Sequence, residues 1–207
     1  HFNLGVALLA KKDLAGAAPA YAAGLKRVED KPVELVGWQL EGAIEDLNAT
    51  GGLLGRQLEL IIEDGATTDA VAAAASAKLV REDRVDVLFG GIFSSTRQAI
   101  KGPAVEEGQT LYIYPEQYEG QEYHPLLFCT GPVPAQQVEP LLPWLMRETG
   151  ARKVYLPSAD YIWPRLLNER ARSVVAANGG TIVGEEYFPI DHDDYRGTVE
   201  RIMAIGA

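Results

Sequence analysis

The chain has 207 residues, and 29 acidic against 19 basic side chains give it a formal net charge of −10. With 47% hydrophobic and 23% charged residues it has the composition of a globular protein, and its length suffices for one sizeable core or two smaller ones. The acidic balance argues against nucleic acid or an anionic membrane surface as partner and fits a small neutral or cationic one.

The elements follow in chain order. Phe2 to Leu9 reads as a strand. Ala10 to Lys31 is the least regular stretch; within it Ala15 to Leu25, broken by Gly16, Pro19 and Gly24, fits a short helix or a loop. Val33 to Asn48 has helical apolar spacing and stops at Gly51-Gly52. Leu58 to Ile62 is a predicted strand. Asp69 to Arg81 is an Ala-rich helix with Thr67, Thr68 or Asp69 available as cap. Val85 to Phe89 is a strand, and Thr96 to Glu107 a helix that Gly102-Pro103 should bend or break. The strand Thr110 to Tyr114 follows, then an irregular stretch to Pro134.

A second series begins there. Gln137 to Thr149 is helical and ends at Gly150; Lys153 to Leu156 is a strand; Trp163 to Asn178 is helical and stops at Gly179-Gly180. Thr181 to Phe188 is a strand, and Asp193 to Ala204 a last helix capped by Asp191 or Asp193. Strands alternating with helices of ten or more residues imply βαβ units, mostly parallel sheets and an α/β fold. The Pro-rich passage Gly131-Pro132-Val133-Pro134 is the candidate crossover between two lobes, 1–133 and 134–207.

In open α/β sheets ligands bind beyond the carboxyl ends of the strands. Three such ends carry unusual residues. After Val85–Phe89 come two glycines and then Ser94, Ser95 and Thr96, whose hydroxyls and helix-start N–H groups can hold a ligand or merely cap the helix. After Thr110–Ile113 comes Tyr114-Pro115-Glu116-Gln117-Tyr118-Glu119-Gly120, where aromatics and carboxylates replace the usual Gly, Asn, Asp and Ser of a turn. After Lys153–Leu156, Tyr161 and Trp163 precede Pro164 on what reads as a loop; they serve as pocket wall or as packing under the helix.

Other chemistries lack their patterns. No Gly-rich dinucleotide or phosphate turn is present, so no cofactor is called for, and Ser94 lies outside a Gly-x-Ser-x-Gly elbow. His1, His124 and His192 have no metal-ligand spacing, and His192 lies in an acidic helix start. Cys129, in the short apolar run from Leu126, reads as core, and a lone cysteine forms no internal disulfide. No apolar stretch approaches a membrane span. The chain opens at His1-Phe2-Asn3 and reads as processed or trimmed, which leaves room for a removed signal peptide.

Six ordered segments carry a resemblance. They are residues 43–56, around Asn48-Ala49-Thr50-Gly51-Gly52; Phe89-Gly90-Gly91 with Ser94-Ser95-Thr96-Arg97; residues 114–120; Thr130-Gly131-Pro132 through Gln137; Asp160-Tyr161-Ile162-Trp163-Pro164-Arg165; and Gly184-Glu185-Glu186-Tyr187-Phe188-Pro189. In these the chain resembles the type I periplasmic substrate-binding proteins, and among them the branch that binds urea and short-chain amides, with its relative, the amide-sensing regulator of amidase expression. The resemblance implies a two-lobed clamshell without catalytic activity that delivers a small polar ligand (amide, urea or amino-acid-like) to an ABC transporter permease from the periplasm or cell exterior. It implies that Ser94 hydrogen-bonds the ligand's amide or carboxylate, with Ser95 beside it. Tyr114, Pro115, Glu116 and Tyr118 line the first wall, and Tyr161 and Trp163 close from the second lobe. Glu116 stands where those relatives carry a small hydroxyl residue, which favours a cationic or strongly donating ligand. Ile92 replaces an aromatic, and Trp163 a Tyr or Phe. The chain stops at residue 207, short of the family's length, so the second lobe is expected to be incomplete. Two other readings keep an α/β fold: a cytoplasmic ligand sensor acting on a regulatory partner, and a hydrolase using Ser94.

Overall fold

The computed structural model describes residues 32–65 and 68–206, with side chains from residue 41 onward. The expected strand at Phe2–Leu9 and the stretch to Lys31 lie outside the described residues. By its internal contacts the chain divides between residues 64 and 65 into two compact units.

In the first unit helix α1, Pro32–Ala49, runs to the expected glycines. Gly51 and Gly52 both take positive φ, and Gly52 N donates back to Leu47 O at 2.9 Å, which closes the helix. The expected strand at Leu58–Ile62 does not form: the segment has no ladder partner among the described residues. The backbone groups of Leu58 go instead to one side chain. Leu58 N donates to Asn48 Oδ1 at 2.7 Å, and Asn48 Nδ2 donates to Leu58 O at 2.8 Å. Satisfied locally, they give a strand no local reason to form.

The second unit begins with α2, Asp69–Arg81, capped by Thr68, whose hydroxyl accepts from Val71 N at 3.3 Å. A three-stranded parallel sheet follows, in order β1 (Val87–Phe89), β2 (Leu111–Tyr114), β3 (Leu127–Cys129). Strand β3 falls in the stretch read as irregular. It is three residues long, and its pairing with β2, Tyr112 opposite Leu127 and Tyr114 opposite Cys129, makes it a strand. Helix α3, Ser94–Lys101, starts two residues before its expected beginning. Gly102-Pro103 does not break it; the chain widens into a π-helical turn, Gly102–Glu107. There Gly108 N donates to Pro103 O at 3.1 Å, so the spacing widens around the proline that lacks an N–H.

Strand alternation sets the core. Leu88, Tyr112 and Leu127 share one face in register, and with Tyr114, Ala72, Val80, Ile100, Ala104 and Val105 they form the buried cluster beneath α2, α3 and the π turn. On the other face Val87, Phe89 and Phe128 are exposed.

Helix α4, Pro134–Thr149, begins three residues early, because Val133 N donates to Gln136 Oε1 at 2.9 Å and opens the first turn. It contains Pro140 and Pro143 and ends on left-handed Gly150. Strands β4 (Lys153–Ala159) and β5 (Thr181–Phe188) pair in parallel with one irregularity at Val154/Tyr155. Between them α5, Ile162–Ala177, packs on α4 and buries Trp163, Ala171, Val174 and Val175. Trp163, expected on a loop, therefore lies in the first turn of α5 at 3% exposure. Residues 163, 171, 174 and 175 share one helical face, and that face meets the core. Helix α6, Arg196–Ile205, starts three residues late; Asp194 rather than Asp191 or Asp193 accepts from its first N–H, at 3.2 Å.

Candidate functional site

Two tyrosines of β2 build the loop that presents Ser94. Tyr112 Oη donates to Gly90 O at 3.1 Å and Tyr114 Oη to Ile92 O at 2.7 Å. A Cβ on Gly91, at φ +82°, would stand 2.9 Å from the Tyr112 hydroxyl, so the close approach requires glycine. The loop delivers Ser94 to the start of α3, where it is buried.

Around Ser94 stands a cluster of charge. Ser94 Oγ donates to Glu119 Oε1, and Arg97 Nη2 donates to Glu119 Oε2 at 2.8 Å. Arg97 Nε donates to Glu122 Oε1 at 3.0 Å, and Lys101 Nζ to Glu122 Oε2 at 3.0 Å. Ser94, Arg97 and Lys101 follow one another at steps of three and four, hence on one face of α3, opposite the loop that carries the two carboxylates. Burial pushes the Glu122 carboxyl up, but the hydrogen bonds and charges of Lys101 and Arg97 outweigh it and hold it below the usual range. The Arg97 guanidinium lies 5.0 Å from the centroid of the Tyr114 ring. Burial pushes the Tyr114 phenol up to about 12, against the opposing pull of Arg97. Two buried side-chain nitrogens lack a hydrogen-bond partner among the described residues, Arg97 Nη1 and His192 Nε2, and the first belongs to this cluster.

A cavity of about 430 Å³ opens beside the cluster. Ser94, Arg97, Lys101, Glu119 and Glu122 line it from the first sheet's side, and Ile162 and Leu166 of α5 from the other. The carboxyl ends of the two sheets meet at one aromatic contact, Phe93 edge-on to Tyr161 with centroids 5.3 Å apart.

A two-sheet parallel α/β unit with a polar cavity where its strand ends converge has known relatives. Over residues 36–207 the chain matches the family model of the periplasmic binding protein domain. The chain belongs to this family. Its fold is the type I form, α/β with parallel sheets. Solved structures of the same fold include the substrate-binding protein LivJ of a branched-chain amino acid transporter from Streptococcus pneumoniae, in complex with isoleucine. It is 20% identical, with a TM-score of 0.65 over 78% of this chain and 46% of that one. A solute-binding protein from R. palustris in complex with benzoate is 19% identical, with a TM-score of 0.67 over 79% and 46%. An ABC transporter substrate-binding protein from Sphaerobacter thermophilus is 26% identical, with a TM-score of 0.60 over 72% and 42%. The chain thus spans a little under half the length of these relatives.

In this periplasmic binding protein domain the expected site residues have different surroundings. Ser94 and Tyr161 are at the convergence of strand ends. Ser95 Oγ instead donates to Asp69 Oδ1 at 3.2 Å, as Thr96 does at 2.9 Å, tying α3 to the start of α2. Tyr114 is fully buried, behind the wall it was expected to line. Tyr118 packs against the core, Pro115 is half-buried, and Glu116 is exposed. Trp163 is buried within the first turn of α5. Residue-by-residue reading did not single out Arg97 or Glu122, which line the cavity; Glu119 lay within the run 114–120 read as a strand-end wall, but its pairing with Ser94 and Arg97 was not foreseen. The available signal was the 94-97-98-101 face of α3 facing a loop with two glutamates.

Proposed function

We propose that this chain is part of a solute-binding protein of an ABC transporter, which takes a small, neutral, polar ligand between two lobes meeting near residue 133. The observation that carries this is the cavity at Ser94. Its cations Arg97 and Lys101 are matched by the carboxylates Glu119 and Glu122, so it offers hydrogen bonds without a net charge to neutralise. The three-stranded and two-stranded sheets lie on either side of the proposed division, which supports two lobes closing on the ligand. Short amides and urea have the matching chemistry. Ser94 has a carboxylate rather than an imidazole as partner, which supports binding over hydrolysis. The relatives' role in transport supports a periplasmic or extracellular place and a permease partner. No helix among the described residues is long and apolar enough to cross a membrane.

Calorimetric titration of the full-length protein with acetamide and urea tests the reading. Saturable binding weakened about tenfold by Ser94→Ala is expected, the loss of one buried hydrogen bond. Unchanged affinity in that variant refutes the site.

A further inference from the structure

Glu119 divides its two oxygens between two donors, Arg97 Nη2 and Ser94 Oγ. A carboxylate in an ion pair only accepts, and a serine hydroxyl has a single proton. Ser94 therefore spends its proton on Glu119, and only lone pairs remain for a ligand in the cavity. We propose that Glu119, held by Arg97, is a specificity-determining residue that fixes Ser94 Oγ as a hydrogen-bond acceptor, so that the group recognised there is an N–H donor such as a carboxamide or urea nitrogen.

The inference rests on the proposed function, in that Ser94 must face the ligand, and deepens it by setting the sense of the bond. The charge of the cluster does not set it. Gln98, which donates to Glu122 at 2.6 Å, and Lys101 compete for the other carboxylate and leave Glu119 to Arg97 and Ser94. Arg97 is 3% exposed and makes its bonds from a fixed position in α3, so the Glu119 carboxylate cannot turn away without leaving a second buried guanidinium nitrogen, Nη2 beside Nη1, unpaired.

The same geometry predicts how to reverse the bond. In Glu119→Gln the guanidinium, a pure donor, must take the amide oxygen. The amide nitrogen then faces Ser94 and donates to it, freeing the serine proton to point at the ligand. Acetamide and acetone are the probes: both are neutral carbonyl compounds of nearly the same shape, one with NH₂ where the other has CH₃, so a change in protein charge does not favour either. By calorimetry on the full-length protein, the unsubstituted form should bind acetamide at least about tenfold more tightly than acetone, and Glu119→Gln should shrink that ratio about tenfold. A ratio that Glu119→Gln leaves unchanged overturns the proposal, as does failure of the unsubstituted protein to bind acetamide. Ser94→Ala separates the two layers: if it leaves acetamide binding intact, the site reading itself fails; if it weakens binding while Glu119→Gln moves nothing, only the inference fails. Circular dichroism melting checks that each variant folds. Should Glu119→Gln not fold, equal or tighter binding of acetone by the unsubstituted protein still overturns the proposal.

Discussion

Glu122 joins the stability of the second unit to pH. Its carboxyl is lowered in the folded chain, so its contribution is fully present above the ordinary glutamate range and is lost as pH falls through its lower folded value. Urea melts between pH 7 and pH 3 should show stability falling as the medium acidifies, and Glu122→Gln should flatten that slope; an equally steep slope in the variant counts against the cluster. Breaking a buried pair of this kind costs about 3–5 kcal/mol, because the surviving charge stays buried. Single residues were legible here only in part. The place of Ser94 and Tyr161 at strand ends was readable because a strand end followed by a hydroxyl or an aromatic is a local pattern. Tyr114 was readable as unusual, but strand alternation with Tyr112 sends its ring inward, and its hydroxyl finds the Ile92 carbonyl. Arg97 and Glu119 are 22 positions apart in sequence, and nothing local announces that they meet.

At the scale of elements, the loop carrying Glu116 is held by a glycine far along the chain. A Cβ on Gly131 would stand 2.1 Å from Glu116 O and 2.6 Å from Gln117 N, both backbone atoms that cannot swing aside. Gly131→Ala should destabilise the protein by about 1–3 kcal/mol and displace the 116–117 loop. Thermal melting and acetamide titration of the variant check this: a wild-type melting temperature would show that the contact relaxes freely. The helices at Asp69 and Lys153's neighbour α5 were legible from apolar spacing, caps and terminal glycines, since a helix satisfies its own backbone. Strands were less so. Leu58–Ile62 looked like a strand but has no ladder partner among the described residues, and Asn48 holds both backbone groups of its first residue. Leu127–Cys129 is a strand only because β2 lies beside it. A strand's hydrogen bonds are with a partner, so its existence depends on what is adjacent in space.

For the whole molecule, ligand size bounds the affinity. Acetamide or urea has roughly four heavy atoms, and a ceiling of about −1.5 kcal/mol per atom limits binding to about −6 kcal/mol, a Kd in the tens of micromolar. At a hundredfold excess over Kd such a ligand should stabilise the full-length protein by about 2.7 kcal/mol, read as a rise in melting temperature. A submicromolar Kd for any ligand would point to a larger one than the proposed function names. By itself the sequence determined the α/β class, the run of helices and the family, because periodicity, caps and ordered motifs are local properties repeated along the chain. Only the tertiary structure decided which polar residues act together. The hydroxyl of Ser94 acquires a direction from Glu119, Glu119 from Arg97, and the Glu116 loop its position from Gly131. Each of these is a contact across a fold rather than along it, and hydrogen-bond sense and steric fit exist only once both partners are in place.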